Sequence, residues 1–327
     1  MKALQLIKYG EIKDSLAFNE VEKPAVQPQD VLIQVKAAAI NPIDIGIVLG
    51  NLQAMLPIAL PSTLAYDVSG VVVEKGDKVN QFEIGDLVYA RVPQEQMGTI
   101  AEFTAVNIIA VSKKPGNISF EEAAGLPLAG LTALQSLEYA GIKENDKVLI
   151  HAGSGGVGSF AIQYAKAKGA FVYTTTSTNN VNWVKELGAD RVIDYMTEDY
   201  KAIVKDADIV FDTLGKEYSA AAFSVVKQGG KVISVAGSLD EDIAKAFGIP
   251  DYKLPEEIAK ASAEKEAEYK FIFMHPNGSQ LDEIKTLVED EKIKPIVDKI
   301  YPFSESIEAF NHLASGRAKG KIVIKIA

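Results

Sequence analysis

KVLIHA-GSGGVG-SFAIQYAKAKG, residues 147–169, sets a short apolar run, a glycine loop and a helix-like segment closed by glycine in one unbroken order. Residues of that kind in that order predict strand, turn and helix. Gly153, Gly155 and Gly158 fall on the G-x-G-x-x-G spacing. The first glycine allows the tight turn, the second lets backbone approach a diphosphate, and the third lets the helix pack on the strand. The loop from Gly153 through Ser154, Gly155, Gly156, Val157 and Gly158 therefore aims amides and a helix N-terminus at an anion.

The segments beyond it repeat the alternation of strand and helix. AFVYTTT (170–176), RVID (191–194), DIVFDT (208–213) and KVISVAG (231–237) are strand candidates, with VNWVKEL (181–187) a helix between them. Such alternation is the signature of βαβ units and a parallel sheet. Gly169 and Gly188 follow the two helices as C′ glycines. The first 120 residues read differently. DVLIQVKAAAI (30–40), VSGVVVE (68–74), DLVYARV (86–92) and AEFTAVNIIAV (101–111) are β-prone runs broken by Gly, Pro and Asp, a compact mostly-β unit. In GDKVNQFEIGD (76–86) the Gly-Asp pairs are expected at reversals that need positive φ. A polar helical stretch (255–270), FIFMH, a helix-like LDEIKTLVEDE (281–291) and a closing strand KIVIKIA (321–327) complete the chain, and the tail reads as a return to the first unit.

Composition removes several function classes. The 327 residues carry 34 Lys plus Arg against 44 Asp plus Glu, a formal charge of −10, which offers no general attraction to nucleic acid or anionic lipid. There is no cysteine, so no thiolate nucleophile or disulfide framework exists and a reducing compartment suits the chain. No apolar run reaches the roughly 18 residues of a membrane span, and the first residues lack a secretion signal, so the cytoplasm is expected.

AINPID (39–44), PSTLAYDVSGVV (61–72), GDKVNQFEIGDLVYA (76–90), AAGLPLAGLTA (123–133), KELGADRVIDY (185–195), DTLG (212–215) and GRAKGKIV (316–323) extend the pattern nearly end to end. In order and spacing they resemble the quinone oxidoreductase, zeta-crystallin-like branch of the zinc-free medium-chain dehydrogenase/reductase superfamily. The resemblance implies an α/β chain of two domains. A mostly-β GroES-like catalytic domain would span 1–121, completed by 268–327, and a doubly wound parallel-sheet Rossmann domain would span 122–267, with the active site in a cleft between them. It also implies a homodimer.

The second strand ends in Thr174, Thr175, Thr176, Ser177, Thr178, Asn179 and Asn180. No carboxylate is present there to hold a ribose 2′-hydroxyl or repel a 2′-phosphate, so NADPH is expected over NADH. Thr176, in that strand end, is a cofactor-binding candidate; the resemblance places Thr132 near the nicotinamide or its phosphate, Ser177 and Tyr195 at the 2′-phosphate, Val235 and Gly237 beside the nicotinamide, and Lys321, a further cofactor-binding candidate, in the tail motif that folds back toward the cleft. Taken by itself, a lysine or arginine in that tail, Lys321 or Arg317, is more often a solvated surface charge. Where the family often carries a lysine, this chain has Asn180.

No metal site is expected. At the family's zinc-ligand positions the chain reads Asn41 and Ala65-Tyr66-Asp67, and His151, His275 and His312 share no metal-type spacing. Without a Lewis acid an unactivated alcohol is hard to oxidise, whereas a quinone or an α,β-unsaturated carbonyl needs only alignment and hydrogen bonds to its oxygen, each worth roughly 3 kcal/mol. By family position the donors are Asn41 and Tyr66, with Asp44 orienting Asn41 or water; Asp67, beside the old zinc-ligand position, is expected to make a structural hydrogen bond or to pair with a cation. A non-enzymatic NADPH-binding, crystallin-like protein and a zinc alcohol dehydrogenase are the competing readings.

Overall fold

The computed structural model describes residues 1–327 and divides into two compact units. One comprises Met1–Leu131, His275–Glu291 and Pro295–Ala327, the other Thr132–Met274 with Lys292–Lys294. The first unit opens with strands β1 (Lys2–Leu6), β2 (Leu16–Glu20), β3 (Asp30–Ile40), β4 (Ser62–Thr63), β5 (Asp67–Lys75), β6 (Leu87–Arg91), β7 (Phe103–Asn107) and β8 (Val111–Lys113). The second holds β9 (Lys147–Ile150), β10 (Phe171–Thr176), β11 (Arg191–Asp194), β12 (Ala207–Asp212), β13 (Val226–Ser234) and β14 (Glu268–Phe271), and the chain returns to the first unit with β15 (Val297–Pro302) and β16 (Lys321–Lys325).

In the first unit β2-β1-β4 form a small sheet, and β15-β16-β3-β5-β6-β8 form a large one, with β7 also paired to β3. Strand β3 explains the size of this unit. Its eleven residues are almost all buried, because it pairs antiparallel with β5, with β7 and, across most of the sequence, with β16. Leu4, Ile33, Val35, Val68, Val88, Phe310 and Ile322 meet in one core.

The second unit is a six-stranded sheet ordered β11-β10-β9-β12-β13-β14 with every pairing parallel. Parallel strands covered on both faces must be apolar without interruption. Val148, Leu149 and Ile150 in β9 and Val210 and Phe211 in β12 are accordingly fully buried. The chain order reverses between β9 and β12, the switch point at which such sheets bind ligands outside the carboxyl ends of their strands.

Three sequence expectations change. The domain seams fall at Leu131/Thr132 and Met274/His275, later than 121/122 and 267/268. The first lies inside the helix Pro127–Ala140, which runs through it unbroken. The second moves because the run beginning at Glu268 is the edge strand of the parallel sheet, paired with β13, and not part of the first unit. Of the glycines expected at positive φ in 76–86, Gly85 has φ +97°. Gly76 is required instead by close approach, since a Cβ there would lie 2.2 Å from the Gln27 carbonyl oxygen. Gly169 and Gly188 close their helices at positive φ as expected. No helix is long and apolar enough to cross a membrane.

Candidate active site

Two constellations carry chemistry, one in each unit. In the second, β9 runs into a turn that holds Ala152 at φ +49°, and the helix Gly156–Ala167 begins after Gly155. A Cβ on Gly158 would sit 2.3 Å from the Ala152 carbonyl oxygen, so only glycine lets this helix lie against the turn. A Cβ on Gly155 meets nothing nearer than that oxygen at 3.4 Å, which leaves its outer face open to a ligand. The amides of Gly156, Val157 and Gly158 are the first of the helix and have no acceptor within it. Buried Thr176 Oγ1, at the end of β10, has no protein partner. Open glycine backbone, unpaired amides and an orphaned hydroxyl together fit a dinucleotide diphosphate and ribose.

The expected 2′-phosphate residues share one rim. Thr176 pairs in register with Asp194, and the Tyr195 amide donates to the Thr176 carbonyl at 3.1 Å, so Tyr195 stands exposed beside Thr176 and Ser177. Asn180 donates to Ser177 Oγ (3.1 Å) and accepts from the Trp183 indole (3.0 Å). Thr132 is buried on its helix.

Val235 and Gly237 follow β13 on a loop anchored from below. Asp212, buried at the end of β12, accepts from Ser219 Oγ (2.6 Å), Ser234 Oγ (3.0 Å) and the amides of Leu214 and Gly215, and lies 3.4 Å from His151 Nδ1. Ser234 Oγ in turn accepts from the Gly237 amide at 2.8 Å. Burial alone would raise this carboxyl, yet the bonds from His151 and Ser219 outweigh it and hold its pKa at about 2. His151 is thus a structural residue. His312 has a like role, between Tyr301 (3.1 Å) and Asp298 (3.4 Å).

In the first unit, the helix Pro42–Val48 starts at Asn41, with proline at its first position, where the missing N–H costs nothing. Asp44 Oδ2 accepts from the Asn41 amide at 2.7 Å, so Asp44 does orient Asn41, through its backbone. Its other oxygen, Oδ1, is buried without a partner. Burial is the main cause that lifts the Asp44 pKa to about 7, against the pull of the Asn41 N–H and with a further push from Asp67.

The side chain of Asn41 is held at both ends. Nδ2 donates to Asp67 Oδ2 at 2.9 Å, and Oδ1 accepts from the Lys321 ammonium. Asp67 Oδ1 accepts from the Leu128 amide at 2.8 Å. Asp67 is therefore the structural, cation-paired residue expected. Lys321, expected to reach the cofactor by resemblance or to be a solvated charge by itself, is buried, and its ammonium is taken up by the Ile40 carbonyl (3.2 Å), Asn41 Oδ1 and Asp67 Oδ2 (3.2 Å). Arg317 is exposed.

Tyr66 is fully buried, its phenol donating to Gln94 Oε1 at 2.7 Å while the Arg91 guanidinium stacks 4.6 Å from the ring centre. Burial, with Asp44 nearby, pushes that phenol above its ordinary pKa. With its proton engaged, Tyr66 holds the cluster together and does not present a free donor. Arg91 and Gln94 were not legible in the sequence, since nothing local distinguishes them from edge-strand polar residues.

Residues 27–127 match the alcohol dehydrogenase GroES-like domain and 187–324 match the zinc-binding dehydrogenase family. A 2-methylene-furan-3-one reductase of Solanum lycopersicum is 36% identical over 99% of this chain and 79% of its own. An NADPH-dependent alkenal/one oxidoreductase of Arabidopsis thaliana is 35% identical over the same shares. Among solved structures, the quinone oxidoreductase of Coxiella burnetii superposes with a TM-score of 0.88 at 34% identity, covering 100% of this chain and 99% of that one. The chain belongs to the zinc-free quinone oxidoreductase branch of the medium-chain dehydrogenases/reductases. It is an oxidoreductase of that branch, and the zinc in one family description finds no fit in its side chains. No three His, Cys, Asp or Glu converge anywhere, and at Asn41 and Asp67 a lysine ammonium already satisfies the oxygen atoms.

Proposed function

We propose that this quinone oxidoreductase relative uses NADPH to reduce quinones or α,β-unsaturated carbonyl compounds. The observation that carries the reading is the glycine loop at the carboxyl edge of a wholly parallel sheet, with a steric requirement for glycine at 158 and an open face at 155. The relatives named for alkenals, enones and quinones support the acceptor class, since all such acceptors join a carbonyl to a conjugated carbon.

The helix amides from Gly156 onward would bind the diphosphate, and Thr176, Ser177 and Tyr195 would supply neutral donors to the 2′-phosphate. When bound, the reduced nicotinamide supplies the hydride. Asn41 would donate from its carboxamide to the acceptor's carbonyl oxygen, where negative charge gathers, and Asp44 fixes the backbone on which Asn41 sits. Val235 and Gly237, on a loop held by Ser234 and Asp212, would line the nicotinamide.

NADPH oxidation followed at its absorbance band across quinones and enones, with NADH in parallel, tests the reading, and no turnover with either class overturns it. Asn41→Ala is expected to lower kcat about 100-fold with the NADPH dissociation constant nearly unchanged. A homodimer in the cytoplasm is part of the same proposal, supported by the resemblance and by the cysteine-free composition. Sedimentation velocity and a fluorescent fusion test those two points.

A further inference from the structure

Lys321 and Asn41 stand 280 positions apart, and strand register brings them together. Ile322 pairs with Ile40 in the antiparallel β16–β3 ladder, so Lys321 and Asn41 come next to each other at its end. The lysine stem passes beside Gly125, where an added Cβ would lie in ordinary contact with Lys321 Cβ at 3.5 Å. All three protons of the ammonium are then taken, by the Ile40 carbonyl, Asn41 Oδ1 and Asp67 Oδ2. None is left for a phosphate.

We propose that Lys321 is a positioning residue for the reaction: with Asp67 it locks the Asn41 carboxamide in one orientation, with Nδ2 as the donor end. The amide sits between a cation at its oxygen and an anion at its nitrogen. Turned over, it would set N–H groups against an ammonium and a carbonyl against a carboxylate, two repulsive contacts between buried side chains. One Nδ2 proton binds Asp67 and the other is the one offered onward. A carbonyl oxygen engaged by an ammonium also draws electrons from the amide nitrogen, which strengthens its N–H as a donor. The proposal rests on the reading that Asn41 donates to the acceptor.

The test is a set of variants in the full chain: Lys321→Met, Lys321→Arg, Asn41→Ala and Asn41→Ala/Lys321→Met. Each is measured for kcat, acceptor KM and NADPH dissociation constant. Lys321→Met is expected to lower kcat at least about tenfold with the NADPH constant within about twofold, as a misaligned group would. Lys321→Arg restores most of the rate, because a guanidinium keeps the donors. In the Asn41→Ala background, Lys321→Met costs less than about twofold further, the non-additivity of residues that act through one another.

If Lys321→Met fails to fold, Asp67→Asn/Lys321→Met removes both charges together and carries the same comparison. A rate unchanged by Lys321→Met, a loss confined to NADPH binding, or an additive loss in the Asn41→Ala background overturns the positioning role alone. An Asn41→Ala enzyme of full rate overturns the donor reading and this proposal with it.

Discussion

Asp44 is an acid buried with one oxygen satisfied and one not, and that asymmetry has a thermodynamic sign. Burial raises its pKa from an ordinary carboxyl's 3.8 to about 7 in the folded protein. Its contribution is most favourable below the unfolded value, where it is neutral in both states, and is lost as pH rises through 7, where the folded protein must hold a buried anion. Asp44→Asn keeps an acceptor for the Asn41 amide without the charge. It should therefore be more stable than the parent at pH 8, by roughly 2–4 kcal/mol, with the difference shrinking toward pH 4. Urea unfolding at the two pH values measures it, and a difference independent of pH would sink the idea. Asn41 and Asp44 were reached only through the family's AINPID segment; the proline and third-position acid that start a helix there are a local signal the sequence reading did not use. Neither reading of Lys321, a cofactor contact by resemblance or a surface charge by itself, found its partners, because those surroundings exist only once β16 is paired with β3.

The glycine loop separates two demands that G-x-G-x-x-G merges. At 158 the demand comes from the protein itself, since a methyl group would press on the Ala152 carbonyl at 2.3 Å and on Gly153 Cα at 2.9 Å. At 155 the backbone has an extended conformation that any residue adopts, φ −82° and ψ 171°, and space is open. Gly158→Ala should thus destabilise the fold, by about 1–3 kcal/mol, and weaken NADPH binding. Gly155→Ala should leave the melting temperature within a few degrees and weaken NADPH binding at least about tenfold, its methyl standing where a diphosphate approaches. Differential scanning calorimetry paired with titration calorimetry tells them apart, and equal loss of stability in both variants would contradict the division. Strands covered on both sides were legible for a related reason: the Val148–Ile150 run of β9 and the Ile209–Phe211 run of β12 are buried and apolar without interruption. EYKF, at the sheet's edge, alternates exposed and buried residues and has only one partner strand, so its four residues gave no sign of the sheet they join.

At the scale of the whole chain, the first unit is closed by its last strand. β16 is the partner of both β3 and β15, and Ile322, Val323 and Ile324 within it are fully buried. Burying three such side chains contributes roughly 5–9 kcal/mol, a figure that rivals the entire stability of an ordinary domain, about 5–15 kcal/mol. The second unit draws its core from Leu149, Ile193, Val210, Val232 and neighbours, none of them from the chain ends. Deleting residues 321–327 should therefore unfold one unit and spare the other. Hydrogen exchange read by mass spectrometry is expected to show the amides of 30–40 unprotected while those of 147–150 and 209–211 stay protected. Loss of protection in both sets would mean that the second unit cannot hold its sheet alone, and retention in both would mean that β16 is not what completes the first.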